Sequence, residues 1–184
     1  MKFATVVLLI SLSGLMLSAR QNDTKASAEP PCPSSEGVYY LDGLAWKPME
    51  RITISERVRK TNPLPFTKQK MLAQYPGASA GITVGASPKF CIFGADQATA
   101  KILMIASLEV KGDHREMVSH SSRSLSTTSR SGVPEDQLQP TEVKRTADKS
   151  FEISTTNQLP PGQYLLFARS PNMGYDFGVG SSAQ

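Results

Sequence analysis

The segment Gly77-Ala78-Ser79-Ala80-Gly81 matches G-x-S-x-G, the spacing that exposes a nucleophilic serine on a sharp strand-to-helix turn. That chemistry needs a strand before the serine, a helix after it and a histidine base. Here Pro76 directly precedes the motif, Ile82-Thr83-Val84 behind it favours strand, and neither His114 nor His120 lies in a motif of its own. The expected reading is a small-residue turn, with a small secreted serine hydrolase acting through Ser79 as the alternative. Asp113, His114, Glu116 and His120 form the one grouping of metal-ligand type. A period of two sets His114, Glu116, Val118 and His120 on one strand face, so a valine stands where a third ligand is needed. Charged residues on a solvent-facing sheet are expected instead, with Arg115 in a weak cross-strand pair with a residue such as Glu109. Tyr175-Asp176-Phe177-Gly178 contains the letters D-F-G without the phosphate loop or catalytic-loop motif of a kinase. Tyr175, Phe177 and Val179 read as core, and Gly178 as a site of close strand packing or a bulge. No catalytic residue, cofactor site or metal site is therefore expected.

Three further groups have chemistry of another kind. Cys32 and Cys91 are the two cysteines of the chain, able to pair in an oxidising compartment; the alternative is a buried free thiol at Cys91 inside the apolar run Phe90-Cys91-Ile92-Phe93. Tyr39, Tyr40 and Trp46 could form an aromatic platform for sugars or peptides, against which core packing of at least two of the three competes. Ser119 to Gly132 is a hydroxyl-rich stretch with Arg123 and Arg130, too sparsely charged to steer an acidic polymer.

The elements that must position these groups begin after an export signal. Lys2 followed by the apolar run Phe3 to Leu17 has the form of a signal peptide, shorter than the roughly 20 residues of a membrane anchor. Cleavage is expected after Ala19 or Ala28. The chain thus divides into signal and flank at 1–28, a Pro-rich leader at 29–36, a β-domain at 37–180 and a tail at 181–184. Cutting after Ala28 removes three cations and one anion, which lowers the formal charge from +4 to about +2 and weakens any nucleic-acid reading. No transmembrane segment is expected in the mature chain.

Within the domain, Val38 to Leu41 and Leu44 to Trp46 flank Asp42-Gly43, a hairpin signal. Arg51 to Ser55 alternates apolar and polar residues. Thr67 to Tyr75 has the composition of a short helix stopped by Pro76-Gly77. Gly81 to Val84 and Lys89 to Phe93 are short strands. Lys101 to Val110 is a central strand, and the turn Lys111-Gly112-Asp113 leads to the return His114 to Val118. Thr141 to Arg145 with Phe151 to Ser154 is a second hairpin, and Tyr164 to Ala168 and Tyr175 to Val179 complete the set. About nine short strands with regular turn signals predict an all-β fold, a single β-sandwich or small barrel of antiparallel strands.

The opening Gly37-Val38-Tyr39-Tyr40-Leu41 with Trp46, and the ending Pro161-Gly162-Gln163-Tyr164 with Tyr175-Asp176-Phe177-Gly178-Val179, resemble uncharacterised exported bacterial domains. That resemblance implies an all-β exported domain and carries no activity. The functional expectation is a non-catalytic binding or interaction module, periplasmic or secreted, whose partner is an envelope or extracellular protein or glycan. A structural subunit assembling by strand exchange is a further alternative.

Overall fold

The structure is a computed structural model that describes residues 29–60, 70–121 and 132–180. The export segment, Thr67 to Gln69 of the expected helix, Arg123, Arg130 and the tail lie outside the described residues, as does the side chain of His120. In chain order the strands are β1 (Gly37–Asp42), β2 (Ala45–Pro48), β3 (Ile52–Thr53), β4 (Glu56–Lys60), β5 (Lys70–Pro76), β6 (Thr83–Val84) and β7 (Lys89–Phe93). After the one-turn helix α1 (Gln97–Ala100) follow β8 (Leu103–Lys111), β9 (His114–Ser121), β10 (Leu138–Gln139), β11 (Thr141–Ala147), β12 (Ser150–Thr155), β13 (Gly162–Ala168) and β14 (Met173–Val179).

Two curled, mainly antiparallel sheets result, arranged as a sandwich-like half-barrel. The smaller has the order β11-β12-β7-β1-β2. The larger runs β3-β14-β13-β8-β9-β5-β4, with β10 beside β8 and β6 beside β14; the β6–β14 pair is parallel. The first hairpin turns one residue later than expected. Asp42 pairs with Ala45, so the turn residues are Gly43 and Leu44, and Gly43 takes the positive φ (62°) that a two-residue loop of this kind demands at its first position.

Period-2 alternation explains the main core. Val38, Phe90, Ile92, Phe151 and Ile153 point from the small sheet onto Ile105, Tyr164, Leu166, Phe177 and Val179 of the large one. Phe177 lies between the rings of Phe90 and Tyr164, with centroids 4.9 and 5.5 Å away, and Tyr175 packs against this cluster from its edge. The alternate residues of the same strands are buried as well. Ala106, Leu108, Leu165 and Phe167 form a second core with Ala73, Tyr75, Met117 and Val133. Strands β8 and β13 are therefore covered on both faces, which is why Leu103 to Leu108 and Tyr164 to Phe167 read as nearly unbroken apolar runs.

The second core exists because the large sheet bends. β9 pairs with β5 along its whole length, but on its other edge it pairs with β8 only from Glu109 to Lys111 and then diverges. β10 takes up part of the vacated edge, at Ala106 and Ile105. Three expectations change as a result. Residues from Lys70 onward form strand β5 rather than a helix, because β4 and β9 supply ladder partners on both sides. Arg115 is not on a solvated face and does not pair with Glu109. It is 2% exposed and points into the bend. Its fork donates to Asp176 Oδ2 (2.5 Å), to the Pro76 carbonyl (2.8 Å) and to the Gly77 carbonyl (3.0 Å). Glu116 is also buried, opposite Glu109 and Gln74. The Arg115–Asp176 pair joins β9 to β14, which are separated by two strands in the sheet order, and so ties the bend shut from inside.

Candidate functional site

At one end of the sandwich β1 and β8 begin, β7 and β13 end and β14 starts, and between them lies a cleft of about 350 Å³. That is near the lower limit for small-molecule sites. Its wall is apolar, from Val38, Ile92, Leu103 and Phe167. Gly174 keeps the β14 side of the wall thin: a Cβ there would come within 2.6 Å of the Leu166 carbonyl and 2.9 Å of the Leu165 side chain.

Four polar side chains reach this cleft: Glu36, Arg51, Thr99 and Tyr175. The Arg51 guanidinium sits 5.8 Å from the Tyr175 ring centroid and donates through Nη2 to Tyr175 Oη at 3.3 Å. That hydrogen bond holds the guanidinium's pKa above its already high value, so Arg51 is a constant cation. Thr99 is placed by α1, whose start is capped by Asp96 accepting from the Thr99 N–H at 2.6 Å. This bond also lowers the Asp96 carboxyl's pKa. Glu36 ends the leader and lies against Gly94 at the end of β7, its Cγ 2.9 Å from where a Cβ on that glycine would be.

The leader is fastened along the outer face of the small sheet. Cys32 and Cys91 form a disulfide with Cα atoms 5.8 Å apart, so Cys91 is not a free thiol. Trp46 Nε1 donates to the Pro30 carbonyl at 2.9 Å, Tyr39 Oη meets Ser35 Oγ at 2.6 Å, and Lys89 pairs with Glu29. The three aromatics considered as one platform are thus divided. Tyr39 and Trp46 lie with the leader on the outer face, while Tyr40 packs against the main core.

Ser79 is exposed on the turn between β5 and β6, which makes its surroundings strand–turn–strand rather than the strand–turn–helix of a nucleophile elbow. Arg115 grips this turn by two carbonyls, and Ala80 N–H donates to Gln163 Oε1 at 2.7 Å. His114 meets Asp113 through Nδ1 at 3.1 Å and faces Glu116 through Nε2 at 3.9 Å. The carboxylates flank opposite edges of the ring and cannot join it on one ion. Among the described residues no three His, Cys, Asp or Glu side chains converge as metal ligands, and no helix is long and apolar enough to cross a membrane.

Nothing in the sequence groups the cleft residues. Arg51 reads there as the polar member of an alternating strand and Glu36 as linker. The signal that could have found them is the pair Gly94 and Gly174, small residues at strand ends where neighbouring strands would otherwise close the gap. Comparison with family models, with curated proteins and with solved structures returns no match, so the resemblance to exported bacterial domains rests on its motifs alone.

Proposed function

We propose that the chain is an exported, non-catalytic β-domain of the cell envelope or extracellular space that binds a small ligand in the cleft at the sandwich end. The observation that carries this is the cleft itself: an apolar wall with a few polar groups at its mouth, which is how recognition sites are built. The apolar N-terminal segment and the Cys32–Cys91 disulfide support an oxidising destination. Assembly by strand exchange has less support. The outermost strands carry Lys47 and Pro48, Lys144 and Arg145, or Glu56, Arg57 and Arg59, residues that discourage edge-to-edge pairing.

The test is a thermal-shift screen of small molecules against the wild type and Ala168→Trp, a substitution that fills the cleft from β13. Compounds that raise the melting temperature of the wild type alone are the expected result. Compounds that stabilise both equally would overturn the assignment. Labelling of Ser79 by a fluorophosphonate, lost in Ser79→Ala, would establish the hydrolase instead.

A further inference from the structure

Resting on the cleft as the binding site, we infer that its ligand is a zwitterion with an apolar body: a free apolar α-amino acid or a short apolar peptide with both ends unblocked. The cleft offers one cation and one anion, Arg51 and Glu36, against a wall of Val38, Ile92 and Leu103. Among the described residues neither charge has an ion-pair partner, and they are not paired with each other. Both charges are exposed at the mouth, so a purely apolar ligand would leave them to water and draw nothing from them. A simple anion would suit Arg51 and be repelled by Glu36, and a simple cation the reverse. A molecule with an α-carboxylate and an α-ammonium answers both, and its apolar side chains answer the wall.

Tyr175 sharpens the carboxylate end. Its oxygen accepts from Arg51, which leaves its own O–H to donate, so a ligand carboxylate can receive one bond from the guanidinium and one from the phenol. The ammonium end depends on the leader. Glu36 stands four residues after Cys32, and Cys91 is followed directly by Ile92-Phe93-Gly94 of the cleft border. The disulfide therefore fixes where the anion sits relative to the wall. Volume limits the ligand to about a dipeptide: at roughly 30 Å³ per water, the cleft corresponds to about a dozen waters.

The experiment is isothermal titration of the full chain, disulfide formed, with leucine, Leu-Leu, N-acetyl-Leu-Leu and Leu-Leu amide. Leu-Leu or leucine should bind up to about fivefold more tightly than either blocked dipeptide, the value of an ion pair between exposed groups. Preference between the two tells a peptide from a free amino acid. Glu36→Gln should weaken Leu-Leu by about the same factor and leave N-acetyl-Leu-Leu unchanged; Arg51→Met should weaken Leu-Leu and leave the amide unchanged. Circular dichroism of both variants checks that they fold. Blocked dipeptides binding as well as Leu-Leu would overturn the zwitterion and leave the cleft standing. Leu-Leu binding equally to wild type and Ala168→Trp would overturn both. No binding by any of the four probes would overturn the inference, while the Ala168→Trp screen still decides the cleft.

Discussion

Replacing Arg115 by Met tests whether the ion pair in the bend holds the larger sheet together. Met keeps an unbranched apolar stem of similar reach, so the change removes the charge and the hydrogen-bond fork with little loss of packing. Asp176, its side chain 11% exposed, is left as an uncompensated charge against the second core. Removing one partner of a buried pair costs about 3–5 kcal/mol. The carbonyls of Pro76 and Gly77 lose their donors too, which places the effect toward the upper end. For a domain of this size that corresponds to a fall in melting temperature of roughly 10 °C or more. Urea unfolding followed by fluorescence gives the free energy directly, and the double variant Arg115→Met/Asp176→Leu supplies the control. With both charges gone, no ion is stranded, so the double variant should be more stable than Arg115→Met alone. A loss below about 1 kcal/mol in the single variant, or losses that simply add in the double, would refute the reasoning.

Reduction of the disulfide, or Cys32→Ser with Cys91→Ser, should cost about 4 kcal/mol for a link spanning 59 residues, read as a shift in urea midpoint. Burial raises the pKa of the Tyr75 phenol, whose hydroxyl donates to the Pro171 carbonyl. Its contribution is full below about pH 10, where an unfolded phenol stays protonated, and is lost progressively as pH rises above that value. Tyr75→Phe should therefore flatten part of the alkaline decline in stability measured between about pH 9 and 12. Gly174→Ala should destabilise by about 1–3 kcal/mol, because its methyl meets the Leu166 carbonyl rather than a movable side chain; an unchanged melting temperature would contradict this. Leu44→Ser, at an exposed turn position, should change stability by no more than about 0.5 kcal/mol in the same assay.

Most strands can be read from the sequence because their signals are local. Lys89 to Phe93, Phe151 to Ser154 and Tyr164 to Ala168 are β-branched or aromatic runs between turn residues, and each forms a strand. What cannot be read is any feature set by strand pairing across long separations. Lys70 to Tyr75 carries helix-forming residues, and only ladders to β4 and β9 make it a strand. Arg115 resembles a surface charge until the curl of the sheet sets it against Asp176 of β14, although Met117 shares its face and is a hint that this face turns inward. Asp176 is easily passed over because Tyr175, Phe177 and Val179 account for one face of β14. Gly174 and Gly178 on the other face are the trace of a second packed layer. For the site, the disulfide is open to inference from its two cysteines, whereas Glu36 and Arg51 are ordinary residues made significant by where strand ends fall.

The order in which the chain meets its partners has a consequence for synthesis. The centre of the larger sheet is β13 paired with β8 on one side and β14 on the other, and β13 and β14 are the last of these strands to be made. A nascent chain emerging N-terminus first can form the hairpins β1–β2 and β8–β9 early, but the second core cannot close until about residue 167 has appeared, nor the main core until about residue 179. Such late, non-local closure is slow. A C-terminally truncated product that lacks β13 and β14 would thus close neither core, although it keeps twelve of the fourteen strands.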